Sequence, residues 1–206
     1  KKPICAIAKP QAVNLSPLIP QRPRQGNFSR CPYIESLRMH DGTGTHYGMK
    51  YGLALLDPAS QPAFAHLNSK GEIPAAFKDR PAAWDDVHTA KYVVLMTDGI
   101  ITEQVRPTDP DAVINGTKEL QNQASSKRKN ITTADQNVSS FDASCAAAKA
   151  NGVVVFTIAY EADSTAAGQM TKCASGSGYF FEASRDNIDE AFSAIAGKIN
   201  QLRLTQ

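Results

Sequence analysis

The chain has 206 residues, 42% of them apolar, with 22 Lys and Arg against 20 Asp and Glu for a net charge of +2. That length suits one α/β domain, alone or with an extended arm, and the apolar content is enough to bury a core. The balanced charge speaks against the concentrated basic face of a nucleic-acid binder, and no run approaches the ~18 consecutive apolar residues of a membrane span.

The chain opens at Lys1-Lys2-Pro3 without an initiator Met or a signal peptide. It therefore reads as a fragment or a processed product, with room for an anchor upstream. Ile4 to Ala8 suits a short strand. Pro10, Pro17, Pro20 and Pro23 then exclude helix or central strand, because proline fixes φ and lacks the backbone donor. Residues 1–30 are expected to form an extended proline-rich arm, ahead of an α/β domain over 31–206.

Asp41-Gly42-Thr43-Gly44-Thr45 is a turn cluster, and the Thr45 hydroxyl suits an N-cap. A helix is expected from there to Asp57-Pro58. Gly48 and Gly52 share one face of it, which suggests close approach to a neighbouring backbone. Residues 59–90 read as a long polar loop with at most short helices. Tyr92 to Met96 is a β-branched apolar run, expected as a fully buried central strand that ends at Thr97-Asp98-Gly99. Residues 102–140 read as an exposed polar insertion or a frayed helix, with Lys127-Arg128-Lys129 a solvated loop.

Phe141 to Ala150 favours helix, and Asn151-Gly152 ends it. Val153 to Ala159 is a second buried strand, Ala166 to Cys173 a short helix, and Tyr179-Phe180-Phe181 a third strand. Ile188, Phe192, Ile195, Ile199 and Leu202 recur at spacings of four, three, four and three, giving an amphipathic helix with Asp186 or Asn187 at its N-cap. Alternating strands and helices imply a mainly parallel sheet with helices on both faces. Ligands of such sheets bind beyond the carboxyl ends of the strands, where Asp98 falls.

Asp98 and the glycine-flanked hydroxyl of Thr43 are hard oxygen donors, suited to Mg²⁺ or Ca²⁺ rather than zinc. The alternative is that Asp98 caps its own turn. No phosphate-loop Lys, no G-x-S-x-G elbow and no nucleophile–base pair can be named, so an enzyme is not expected. His46 and His88 read as surface or packing residues. Cys5, Cys31, Cys145 and Cys173 fit two disulfides, with three pairings open, or four reduced core thiols; compartment usage favours disulfides. Five N-x-[S/T] sequons, at Asn14, Asn27, Asn115, Asn130 and Asn137, follow from Asn and Ser richness.

Taken in order, these segments resemble a von Willebrand factor A-type (VWA) domain. Such domains hold a metal-ion-dependent adhesion site built from an Asp-x-Ser-x-Ser after the first strand, a Thr in a later loop and an Asp in a strand-end Thr-Asp-Gly. Thr97-Asp98-Gly99 matches the last element, and Gly42-Thr43 with the helix to Leu56-Asp57-Pro58 matches the Thr loop. The series is similar to the VWA region of bacterial tight-adherence (Tad/Flp) pilus-associated proteins over roughly residues 31–206. The residues that carry it are Cys31-Pro32, Tyr51-Gly52-Leu53, Cys145-Ala-Ala-Ala-Lys149, Gly152 to Ile158, Cys173-Ala174-Ser175, Tyr179-Phe180 and the Leu202-Arg203-Leu204 ending. The resemblance implies a Rossmann-like VWA fold, a Cys145–Cys173 disulfide leaving Cys5 with Cys31, and a non-catalytic extracytoplasmic module binding a protein ligand or pilus subunits. The chain contains no Asp-x-Ser-x-Ser. The site would thus be partial, with Thr43 and Asp98 as its metal-facing residues, or the fold would be a metal-free structural form.

Overall fold

The computed structural model describes residues 42–204. The proline-rich arm, Cys5 and Cys31 lie outside them. Five α-helices occur among the described residues: α1 (Thr45–Leu56), α2 (Gln61–Ser69), α3 (Ala134–Ala150), α4 (Ser164–Cys173) and α5 (Ile188–Leu204). The strands are β1 (Tyr92–Thr97), β2 (Gln104–Pro107), β3 (Arg128–Thr132), β4 (Val154–Tyr160) and β5 (Phe180–Ala183). Strands β1, β4 and β5 form a parallel sheet in the order β1-β4-β5, and β2 and β3 form a separate antiparallel ribbon. This is the expected Rossmann-like α/β class.

Side chains alternate across a strand, so each strand feeds two cores. Val155 of β4 and Val93 and Leu95 of β1 face Met49 of α1, Phe141, Cys145 and Ala148 of α3, and Met170 of α4. Phe156 and Ile158 face Ala191 and Ile195 of α5 on the other side. A fully buried large side chain among them, such as Val155, Phe156 or Ile158, contributes about 2 kcal/mol, and the partly buried Val93 and Leu95 less. Thr157 is a buried polar residue on the first face, and its hydroxyl donates to the Met170 carbonyl of α4 at 2.9 Å. A disulfide joins Cys145 of α3 to Cys173 of α4, the pairing that the resemblance implied.

Several expectations need correction. β1 is not fully buried: Val94 and Met96 are 44% and 51% exposed. Among the described residues β1 pairs on one side alone, with β4, and α5 covers its face of the sheet over β4 and β5 rather than over β1. Apolar content reports a strand, not how many neighbours it has. Thr45 does not cap α1. Gly44 holds the N-cap position, without a side-chain bond, and the Thr45 hydroxyl turns to Thr97 instead. Among the described residues Gly48 and Gly52 mark no close backbone: a β-carbon on Gly48 would meet a Leu95 methyl at 3.7 Å, and one on Gly52 nothing within 4 Å.

The segment 102–140 is neither a plain insertion nor a frayed helix. It holds the β2–β3 ribbon, three short 3₁₀ turns and the first turns of α3. Arg128 and Lys129 sit in β3 rather than in a loop. Helix α3 starts at Ala134, not Phe141, because Thr133 and Gln136 form a reciprocal capping box. Asn187 does hold the N-cap position before Ile188, its carbonyl accepting from the Ala191 N–H at 3.2 Å, while its side chain accepts from the backbone N–H of Ser184 at 2.6 Å. Phe192 is 47% exposed and falls outside the buried stripe formed by Ile188, Ile195 and Ile199. No helix among the described residues is long and apolar enough to cross a membrane.

Candidate functional site

The carboxyl end of β1 carries the candidate site. Thr97 is the last residue of the strand, and its hydroxyl closes the turn that follows. It accepts from the Gly99 N–H at 3.4 Å and donates to the Gly99 carbonyl at 3.1 Å. With that proton committed, the Thr45 hydroxyl, 3.2 Å away, is the donor to Thr97. A short relay therefore runs from the first turn of α1 through Thr97 to Gly99.

This relay decides between the two readings of Asp98. Thr97 caps the turn, so Asp98 does not. Asp98 is exposed and makes no hydrogen bond or ion pair among the described residues. A carboxylate held at a sheet edge without an internal partner is available to something outside the chain.

The Thr43 hydroxyl lies near the next residue, Gly99. A β-carbon on Gly99 would stand 3.1 Å from the Thr43 hydroxyl oxygen, a tight contact that would make the hydroxyl give way. Two hydrogen bonds hold the loops together, one of them through a side chain. The Thr43 N–H donates to the Thr102 hydroxyl at 3.0 Å, and the Thr102 N–H donates to the Thr43 carbonyl at 3.3 Å. Gly42 adopts φ +92°, and a β-carbon there would crowd the Thr102 hydroxyl at 3.2 Å and the Glu103 carbonyl at 3.3 Å. Glycine is required both for the dihedral and for the space. The Thr43 hydroxyl itself has no hydrogen-bond partner among the described residues.

Three supporting residues escaped the sequence reading. Thr102 ties the two loops. Asn137 of α3 is 2% exposed and donates from its side-chain amide to the Thr102 carbonyl at 2.8 Å. Gln169 of α4 accepts from the Ile101 N–H at 3.4 Å. The sequon at Asn137 is thus a buried structural amide. Asn137 lies four residues before Phe141 and eight before Cys145, on the apolar face of α3, which is the signal that finds it once the helix start is placed correctly.

His46, in the first turn of α1, is 5% exposed, and neither ring nitrogen has a hydrogen-bond partner among the described residues. Burial, reinforced by the nearby Lys50 charge, pushes its pKa below the ordinary histidine value. It packs against the Tyr47 ring at 4.2 Å. His88 is exposed, and its backbone N–H donates to Asp86 at 2.9 Å.

The donor set is small. Thr43 and Asp98 offer one free hydroxyl and one carboxylate, while Thr45 and Thr97 are engaged with each other. No group of three or more His, Cys, Asp or Glu residues that could hold a metal occurs among the described residues. A Mg²⁺ or Ca²⁺ ion takes about six or more oxygens, so these residues do not make a complete cation site by themselves.

No protein-family model matches the chain, and no curated protein matches it. Two solved structures are similar to it. One is the vWF domain of the type V pili tip protein Mfa5 from Porphyromonas gingivalis, 19% identical, with a TM-score of 0.45 over 82% of this chain and 71% of that one. The other is the pilus adhesin SpaC from Lactobacillus rhamnosus GG, also 19% identical, with a TM-score of 0.37 over 81% of this chain and 19% of that one. At these scores the α/β assignment stands on the chain's own strand order and register.

Proposed function

We propose that this chain is a VWA-type, non-catalytic binding module of a bacterial pilus or cell-surface system, working outside the cytoplasm. The observation that supports the reading is the approach of the Thr43 hydroxyl to Gly99, the residue after Asp98, at the carboxyl end of β1, with neither that hydroxyl nor the Asp98 carboxylate spent on an internal bond among the described residues. That pairing of residues is the one the VWA resemblance selects from the sequence. The Cys145–Cys173 disulfide supports an oxidising compartment. The tight-adherence assignment rests on the ordered motifs from Cys31 to Leu204. Protein ligands or pilus subunits are the proposed partners, engaged through the Asp98 edge.

Cation dependence is a separate question within this reading. Mg²⁺ or Ca²⁺ would need further oxygens, from outside residues 42–204 or from the ligand. The shortage of donors favours a second reading, a structural envelope or pilus-assembly protein that keeps the fold without metal and acts through its segments 59–90 and 102–140.

Calorimetric titration of Mg²⁺, Ca²⁺ and Mn²⁺ into the protein, and into Asp98→Asn and Thr43→Val, separates them. The adhesion reading expects saturable cation binding, or binding of a purified pilus subunit, that both substitutions abolish. Subunit binding that survives both substitutions would transfer the function to the second reading.

A further inference from the structure

The β2–β3 ribbon carries an arrangement that the Asp98 edge does not explain. Arg106 of β2 and Lys129 of β3 stand directly opposite each other in the register, both exposed and on the same face. Like charges in directly opposed cross-strand positions destabilise a β-pair. Lys127 and Arg128 adjoin them. The ion pairs among the described residues are Lys78–Asp79 and Lys172–Asp142, so no carboxylate neutralises this group. In the connection between the two strands Asp109 accepts from the Asp111 N–H and Glu119 accepts from the Gln121 and Asn122 amides, and the carboxylates of Glu103 and Asp111 form no ion pair with the basic group. Ile131, two residues along from Lys129, is 50% exposed beside the charges.

The ribbon has two strands, so each has an outer edge without a β-partner among the described residues. Gln104, at its foot, approaches Gly42 and Gly44, which roots the ribbon at the Thr43 loop. We infer that the β2–β3 ribbon is a docking edge for an extended acidic polypeptide segment of a partner protein. An added strand lies about 4.8 Å away. It would satisfy the open backbone groups and set alternate carboxylates beside Arg106 and Lys129, with an apolar side chain against Ile131. A polynucleotide fits less well. No aromatic residue occurs between Tyr92 and Phe141, so the ribbon offers no stacking platform. Heparin-like polyanions would use the charges but neither the strand edge nor Ile131.

The test uses a fluorescein-labelled peptide of about eight alternating Glu and Val residues, near the length of an ordinary strand. Its anisotropy is titrated with the protein at low and raised salt. The expected result is binding that weakens with salt and falls at least about tenfold in Arg106→Gln/Lys129→Gln. The single variant Lys129→Gln, folded by circular dichroism, provides the reading if the double variant does not fold. Asp98→Asn should leave peptide affinity unchanged, which keeps this result independent of the VWA reading. Undiminished binding by the charge variants overturns the inference. So does tighter binding of heparin or a single-stranded oligonucleotide than of the peptide. No peptide binding, with self-association on removing the charges, would make them edge protection alone and would also overturn it.

Discussion

Two charged residues flank β1 and meet opposite fates. Lys91, just before the strand, is buried. Its ammonium donates to the Leu56 carbonyl at 2.8 Å and the Ala82 carbonyl at 2.7 Å, and lies 3.8 Å from the centroid of the Trp84 ring. Burial pushes its pKa down, opposed by the charges of Asp57 and Asp86. Asp98, just after the strand, is exposed and has no partner among the described residues. A charge whose bonding capacity is used internally ties α1 and the 82–84 segment to the sheet. A charge left over at a rigid sheet edge is available for recognition.

Substitutions at the two ends should separate these roles. The largest expected effect is at Lys91. Lys91→Met keeps the stem and removes the ammonium, leaving one buried and one partly buried carbonyl without this donor. About 2–4 kcal/mol of stability should be lost in urea unfolding, while ligand binding below the melting transition is retained. A parallel loss of binding would break the division between the two ends. Asn137→Ala sits between them. It should cost about 1–2 kcal/mol and also weaken Asp98-dependent binding, because the 98–102 loop loses its anchor on α3; unchanged binding would mean that Thr102 and Gln169 suffice.

A smaller effect concerns pH. The folded pKa of His46 lies below its ordinary value of 6.5. As pH falls through about 6.5 the unfolded chain takes up this proton first, so stability declines from there towards the lower folded value. The contribution is complete above 6.5. His46→Leu should flatten that slope in unfolding curves taken at about pH 7.5 and 5.5; an equally steep decline in the variant would assign it to another group. Least of all, Asp98→Asn should change stability by under about 0.5 kcal/mol. A large cost there would mean that Asp98 has a structural duty after all.

The sequence made much of this legible, though unevenly. Val153 to Ala159 was recognised as a buried strand because β4 has partners on both sides and helices on both faces, the setting in which a continuous apolar run arises. Tyr92 to Met96 carries a similar run, yet β1 is half exposed. The Cys145–Cys173 pair follows from the resemblance, and the structure joins it; Thr43 and Asp98 also come from the resemblance, and the Thr43 hydroxyl lies near Gly99, the residue after Asp98. Asn137 was missed because the polar letters of Thr133-Ala-Asp-Gln136 masked a capping box. The ribbon was missed because Arg128 and Lys129 are not strand formers by composition. The Thr45 hydroxyl was placed at the wrong bond because its partner, Thr97, lies fifty-two residues away.

The disulfide has a mechanical consequence. The loop bearing Asp98 is gripped by Asn137 of α3 and Gln169 of α4, and the Cys145–Cys173 bridge joins those same two helices. Cys145 lies about 12 Å down α3 from Asn137. The arrangement is a pair of jaws with a covalent crossbar behind the grip. Force applied at Asp98 would load both helices at once, and the crossbar would keep the jaws from spreading, so the load would pass into the core instead of peeling one helix away from the sheet.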